Sequence, residues 1–250
     1  MSPEIKTGAV IVSDAHYSPV RPWLDGFLRD IETGRIPATQ LILLGDIFDL
    51  LIGPLPWTVA QNREVIDRIN RISGKIPVLY FEGNHDFLLR PLFPQVGLFP
   101  IEEQPVLAVG AEGSCWRIAH GDYKADWCHR VYTGLIRHPV LVRLLHVCTL
   151  NVINNWLLKR VQKQLDRKKI CREFDDFEGY IHRKLSTVFA DGIYLEGHYH
   201  QDRQFRVNDG EYINAPGFAC NKSYLVVTLS NAKVFLQRQV YEEYQNGRDQ

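Results

Sequence analysis

The apolar positions change their spacing along the chain. Near the start, short continuous apolar runs alternate with stretches of helical period. Ala9–Ser13 (AVIVS), Gln40–Leu44 (QLILL) and Val78–Glu82 (VLYFE) are dense in β-branched and bulky residues, the pattern of strands buried on both faces. Between them Pro22–Thr33 reads as a helix, and Val59–Ser73 places Val59, Val65, Ile66, Ile69 and Ile72 at helical spacing. Strands separated by helices of this length predict right-handed crossovers and a parallel core. From Pro105 onward Val106–Val109, Cys115–Ala119, Gly192–Leu195, Gln204–Val207, Tyr224–Leu229 and Lys233–Gln237 read as strands of a second, partly antiparallel sheet.

Residues 122–191 interrupt that second set and are helical in character, so one domain over 1–250 with a helical insertion is expected. Within the insertion Pro139–Leu158 is apolar on more than one face. It suits either core packing or a groove for a lipid-like ligand or membrane surface. Lys159–Arg172 follows and is strongly basic, with Asp166 its single acid; it is either a solvated face or an anion-binding one. The tail, 241–250, is polar and expected to fray.

Charge narrows the partners. Lys plus Arg (29) equals Asp plus Glu (29), so a global basic field for gripping nucleic acid is absent and no nucleic-acid partner is expected. Cys115, Cys128, Cys148, Cys171 and Cys220 show no C-x-x-C spacing and read as reduced, buried cysteines of a cytosolic protein. Met1–Thr7 lacks the pattern of a signal peptide, and no apolar run reaches the ~20 residues that span a bilayer. A cytoplasmic protein is expected, either free or lying on the cytoplasmic face of the inner membrane.

The chemistry is concentrated in five short motifs. Asp14-Ala15-His16, Gly45-Asp46-Ile47-Phe48-Asp49, Gly83-Asn84-His85-Asp86, His120-Gly121-Asp122 and Gly197-His198-Tyr199-His200 are clusters of carboxylate, amide and imidazole, most of them ending an apolar strand run. Ligand sites of parallel sheets lie beyond the carboxyl ends of the strands, so Asp14, Asp46 and Asn84 should converge. Phosphate esters resist hydrolysis because an anion repels its nucleophile and the leaving oxygen develops charge. Two divalent cations about 3.5–4 Å apart answer both difficulties. Mixed imidazole and carboxylate donors without thiolate suit Mn²⁺, Fe²⁺ or Zn²⁺. His129, His138, His146 and His182 lie outside any such cluster and read as ordinary surface or core residues.

In this order the motifs resemble those of the calcineurin-like metallophosphoesterases, over about Gly8–Leu229. The resemblance implies a sandwich of two mixed β-sheets flanked by helices, with two divalent metal ions, most simply Mn²⁺, at the strand ends. It implies that Asp14, His16 and His200 hold one ion, that Asn84, His120 and His198 hold the other, and that Asp46 bridges them. His85 resembles the family's histidine that contacts the phosphate and protonates the leaving oxygen, with Asp86 orienting it. Asp49 is expected to stand behind the ligands rather than among them.

The overall length and the helical block between His120 and His198 resemble a branch of the family that cleaves a lipid-linked nucleotide sugar. There a helical lid covers the dinuclear site and shelters the two acyl chains, and in this chain the lid is a candidate for peripheral membrane contact. By that resemblance Arg160, Lys163, Arg167 and Lys168 meet the pyrophosphate through charge-assisted bonds. The chain departs from the branch at His85, where its members carry arginine, and follows the general family pattern. A phosphatase or phosphodiesterase acting on a soluble substrate, and a non-catalytic scaffold of the same fold, are the competing readings.

Overall fold

The structure is a computed structural model that describes residues 2–110, 113–122, 152–230 and 233–243, and the backbone alone of 152–155. In chain order the first half comprises β1 (Glu4–Ile5), β2 (Ala9–Val12), α1 (Trp23–Glu32), β3 (Gln40–Leu44), β4 (Leu51–Ile52), α2 (Pro56–Gln61), α3 (Arg63–Ser73), β5 (Val78–Phe81), β6 (Asp86–Phe87) and β7 (Gly97–Phe99). The second half comprises β8 (Val106–Gly110), β9 (Cys115–Ala119), α4 (Val152–Arg167), α5 (Phe177–Leu185), β10 (Ile193–Glu196), β11 (Arg203–Val207), β12 (Gly210–Asn214), α6 (Phe218–Asn221), β13 (Ser223–Ser230) and β14 (Lys233–Val240).

Two six-stranded mixed sheets stack face to face. One runs β14-β13-β2-β3-β5-β7, parallel from β2 to β7; the other runs β1-β8-β9-β10-β12-β11. Between them a core of Ile11, Ile42, Leu44, Phe81, Trp116, Ile118, Leu195 and Ile213 excludes water. The outer face of the first sheet is covered by α1 and α3 through Phe27, Leu28, Val65, Ile66 and Ile69. The outer face of the second is covered by α5 through Phe177, Ile181 and Leu185. The apolar runs read from the sequence are therefore strands of the first sheet, sealed on both faces.

Four expectations change. The helix expected over Val59–Ser73 is two helices, broken at Asn62, whose side-chain amide donates to the carbonyls of Leu50 (3.1 Å) and Thr58 (2.8 Å) instead of leaving the backbone ladder uninterrupted. β13 and β14 belong to the first sheet rather than the second, because Leu225 and Val226 pair antiparallel with Ile11 and Val10. Tyr241, assigned to the fraying tail, is buried against Phe27 and Phe218, and its hydroxyl donates to Asp30. The cysteines are not all reduced and buried: Cys171 and Cys220 are joined by a disulfide, their Cα atoms 5.7 Å apart, and Cys115 is free and exposed. Two expected segments, 123–151 of the insertion and 244–250 of the tail, lie outside the described residues, as do Cys128 and Cys148. Among the described residues no helix is long and apolar enough to cross a membrane.

Candidate metal centre

All five motifs meet at one rim of the sandwich. β2, β3 and β5 lie side by side in parallel, and each delivers its motif just past its last residue. Asp14, His16, Asp46, His198 and His200 all hold positive φ, between 43° and 65°. For a residue with a Cβ this backbone costs on the order of 1 kcal/mol, so the surroundings must hold it. They do so by linking the motifs to one another. The Asp14 amide donates to the Gly45 carbonyl (3.1 Å) and the His16 amide to the Asp46 carbonyl (2.9 Å). The His85 amide donates to Asp46 Oδ1 (2.8 Å) and the His198 amide to Asp14 Oδ2 (2.9 Å). Gly83 is required for this approach, since a Cβ there would collide with the Asp46 carboxylate. At Gly45, where φ is +72°, a Cβ would collide with the His120 ring.

Three groups of possible metal donors meet at this rim. Asp14, His16 and His200 present donor atoms within 4.8 Å of one another; so do Asp46, His120 and His198; and so do His16, Asp46 and His85. His200 Nε2 faces Asp14 Oδ1 at 3.0 Å, and His120 Nε2 faces Asp46 Oδ2 at 3.4 Å. Neither pair is aligned as a hydrogen bond, and Asp14 Oδ1, His120 Nε2 and Asn84 Oδ1 are buried without a hydrogen-bond partner. Buried polar atoms left in that state are costly, and bound cations would satisfy them. The other ring nitrogens support this assignment. His120 Nδ1 lies 3.1 Å from the Leu44 carbonyl, and His200 Nδ1 lies 3.1 Å from the Ile170 carbonyl. His16 Nδ1 lies 3.3 Å from Asp49 Oδ1. With the proton on Nδ1, each ring offers its Nε2 lone pair to the rim.

The electrostatics describe a site that competes for protons until cations arrive. Burial alone would raise the Asp14 carboxyl, but His200 beside it more than reverses this and brings it to about 2. Burial likewise opposes ionisation of Asp46, and the neighbouring His120 and then His85 hold it well below the carboxylate range. Burial would keep His120 neutral, yet Asp46 pushes its pKa well above the ordinary value, and Asp14 does the same to His200. His198 goes the other way: burial and then the charge of His120 bring it down to about 4. A cation held by His120 or His200 would therefore have to displace a proton from that ring.

Residues behind the ligands complete the rim. Asp49 accepts from Arg21 Nη2 (2.7 Å) and from Gln162 Nε2 (3.0 Å) while facing His16, and Arg21 Nε also donates to the His16 carbonyl (3.1 Å). Asp49 thus lies against the Nδ1 edge of His16. Gln104 accepts from the His120 amide (2.6 Å) and donates to the Glu82 carbonyl (2.9 Å). On the far side Lys184, from α5, donates to Glu196 Oε1 (2.7 Å), to the Tyr199 hydroxyl (3.1 Å) and to the Gly121 carbonyl (3.3 Å), tying the third and last histidine motifs together. Arg21, Gln104, Gln162 and Lys184 carry no motif of their own. The signal for Arg21 was indirect: a buried carboxylate such as Asp49 needs a cationic partner.

Asp86 departs from its expected role. It does not orient His85, whose Nδ1 instead lies 2.8 Å from the Asp49 carbonyl. Asp86 collects five hydrogen bonds, from the amides of Asp46, Ile47, Phe48 and Gly83 and from the Tyr80 hydroxyl, and so pins the second motif to the third. Burial, and then the charge of Asp46, raise its pKa to about 7 against the pull of those donors.

The basic residues fall on α4. Lys163 lines a cavity of about 200 Å³ with Tyr17, Leu50, Trp57, Lys159 and Gln162, beside the Asp49 contact. Arg160 and Arg167 line an open groove on the same helix with Trp156, and the Arg160 guanidinium lies over the Trp156 ring at 5.5 Å. Lys168 lies one residue beyond the helix and is exposed. Of the four, Lys163 is the one that lines the cavity shared with Gln162, whose side chain donates to Asp49. His182, given an ordinary role, lies on α5 with its ring stacked on Phe205, while His129, His138 and His146 lie outside the described residues.

Fold and rim together define an α/β sandwich with a candidate site for two divalent cations. Comparison with known proteins gives the chain its relatives. It is 28% identical over 141 residues to a protein of Blochmanniella pennsylvanica, and 32% identical over 139 residues to one of Bordetella parapertussis. A third, from Xanthomonas axonopodis pv. citri, is 29% identical over 135 residues, and all three are named UDP-2,3-diacylglucosamine hydrolase. The matches cover 54%, 52% and 52% of this chain and 55%, 52% and 54% of the relatives, in the order Blochmanniella, Bordetella, Xanthomonas. The chain thus spans about half the length of the curated relatives it matches, and their name agrees with the branch that its length and helical block resemble. No family model matches. Among solved structures, Yfce, a phosphoesterase from E. coli, is 14% identical with a TM-score of 0.44, covering 93% of this chain and 98% of that one. A dimetal phosphatase from Danio rerio is 12% identical with a TM-score of 0.43, covering 93% and 96%. Likeness at this level says nothing of the chemistry.

Proposed function

We propose that this chain is a metal-dependent hydrolase of a phosphate ester or pyrophosphate, and that its substrate is UDP-2,3-diacylglucosamine, cleaved to UMP and 2,3-diacylglucosamine 1-phosphate. One observation carries the reading: carboxylate, amide and imidazole donors from five separated motifs meet at one rim with buried lone pairs unsatisfied. The relatives' name supplies the substrate.

In this reading Asp14, His16 and His200 hold one cation, Asn84, His120 and His198 the other, and Asp46 lies between them. Two bound divalent cations, Mn²⁺ being our choice, supply Lewis acidity toward phosphate oxygens and water. The residues of the chain do the rest. His85, held through Nδ1 at the Asp49 carbonyl, keeps its Nε2 for the phosphate and for protonating the leaving oxygen. Asp86 acts on the chemistry by fixing the loops that carry Asp46 and His85. Arg160, Lys163, Arg167 and Lys168 present cationic groups on and just after α4, where charge-assisted bonds would hold the pyrophosphate. Residues 122–191 form the lid in this reading, sheltering acyl chains at roughly 0.8 kcal/mol per buried methylene and resting on the cytoplasmic face of the inner membrane.

Product analysis tests the proposal. Mn²⁺-loaded protein incubated with UDP-2,3-diacylglucosamine should release UMP and the acylated sugar phosphate, with bis(4-nitrophenyl) phosphate cleaved as a control. Cleavage of the aryl diester alone would overturn the lipid substrate and retain the phosphoesterase. Inactivity on both, with cations bound, would overturn the enzyme reading.

A further inference from the structure

The single disulfide among the described residues sits against a proposed metal ligand. Cys171 lies in the exposed stretch 168–176 that links α4 to α5, and Cys220 lies on α6. The neighbour of Cys171, Ile170, provides the carbonyl 3.1 Å from His200 Nδ1, and Cys220 Sγ is 3.8 Å from that same nitrogen. One residue on, the Arg172 carbonyl accepts from Gln201 Nε2 (2.9 Å), and the Phe174 amide donates to Gln201 Oε1 (3.0 Å). On the other side α6 is anchored to the first motif, with the Phe218 amide donating to the Ser13 carbonyl (2.9 Å) and the Ala219 amide to the Asp14 carbonyl (3.1 Å). The strap over His200 is therefore bonded covalently to α6, which is itself hydrogen-bonded to the Asp14 carbonyl.

Besides the disulfide, the strap is held by these hydrogen bonds and by the Phe174 ring, which packs against Phe177, Tyr180 and Tyr199; its remaining residues over 171–176 are exposed and offset little of the entropy of their ordering. The disulfide closes a loop of sequence separation 49, which confines the strap where hydrogen bonds to water-accessible carbonyls would hold it loosely. Because Cys171 is exposed, an external thiol can reach it.

We propose that Cys171–Cys220 is a reversible redox site that clasps the strap over His200, so that its reduction weakens cation binding by the Asp14, His16 and His200 set. The inference rests on the reading of His200 as a ligand. The step is a two-electron exchange with a dithiol. One thiolate of the reductant attacks a cysteine sulfur and the Cys171–Cys220 bond breaks. The second thiol then closes the reductant's own disulfide, and the two cysteines leave as thiols carrying two protons. Freed of its tether, the strap no longer fixes the Ile170 carbonyl at His200 Nδ1, and the imidazole loses the acceptor that sets its tautomer and orientation.

The experiment uses wild-type protein purified without reductant, alkylated before or after treatment with dithiothreitol and then desalted. Mass spectrometry should find Cys171 and Cys220 protected beforehand and alkylated afterwards. Titration with Mn²⁺ against a competing chelator should show one of two sites weakened about tenfold in the reduced, alkylated protein. The double variant Cys171→Ser, Cys220→Ser should show the same weakening without reductant and no further response to it; the wild-type comparison stands alone if that variant fails to fold. Alkylation of both cysteines in untreated protein would overturn the proposal. So would unchanged Mn²⁺ affinity after reduction with only the melting temperature lowered, which would make the bond a structural staple. If His200→Ala leaves both sites intact, the ligand reading itself fails, and this inference fails with it.

Discussion

The metal rim and the α4 helix sit next to each other and are built by opposite means. At the rim the motifs are tied to one another by hydrogen bonds, as the His16 amide is to the Asp46 carbonyl, while Asp49 faces the His16 ring at 3.3 Å. The rim's charges are buried: Asp14 and His120 expose nothing to solvent. On α4 the cations are exposed, and the described link from the helix to the rim is the Gln162–Asp49 hydrogen bond. One region is preorganised and costly to alter, the other is free to adapt to a bound molecule. If the rim carries the chemistry and α4 the selectivity, as proposed, substitutions at the rim should abolish turnover or folding, and those on α4 should shift substrate affinity.

The largest effect is expected at the residue shared by both cation sets. Asp46→Ala should lower turnover by about a thousandfold, equivalent to roughly 4 kcal/mol of transition-state stabilisation, measured as kcat on the aryl diester. Turnover near the wild-type level would remove Asp46 from between the cations. Next comes Asp86→Ala, which leaves four buried amides and the Tyr80 hydroxyl without their acceptor. Denaturant unfolding should show a loss of roughly 3 kcal/mol. A loss of catalysis without loss of stability would return Asp86 to the reacting groups.

An intermediate effect is expected from pH. His120 and His200 have raised pKa values and must give up protons to bind cations, whereas His198, at about 4, is already neutral. Cation affinity should therefore fall as pH drops toward and below the ordinary histidine value, by about ten- to a hundredfold per pH unit as one to two protons compete. Calorimetry in buffers of different ionisation enthalpy counts those protons, and a count of zero would contradict the electrostatic account. The smallest effect is expected on α4. Lys163→Ala should raise KM for the lipid substrate a few fold and leave kcat on the aryl diester unchanged, which would sharpen the division between the two regions. A fall in both would blur it.

Much of the rim was legible because the chain announces it locally. Asp14, Asp46 and Asn84 each follow a strand whose apolar run is unbroken, and parallel strands put such positions side by side. What escaped depends on partners far away in sequence. Nothing near Leu225 signals that β13 pairs with β2 at Ile11, more than two hundred residues earlier, instead of joining the second sheet. The short β12, with Glu211 and Asn214 among its five residues, lacks an apolar run of its own and is held by pairing with β10 and β11. Asp86 sits beside His85 in sequence, yet its side chain serves the loop of Ile47 and Phe48. Cys171 and Cys220 meet only because α6 and the strap converge on His200. For β13, Asp86 and the two cysteines, adjacency along the chain was a poor guide to adjacency in space.

The central claim is that this rim holds two divalent cations with Asp46 between them, and metal content tests it most directly. Protein equilibrated with Mn²⁺ and freed of excess should carry two ions per chain by elemental analysis, and the Asp46→Ala variant should carry at most one. Two ions retained by the variant, or none bound by the wild type, would contradict the account.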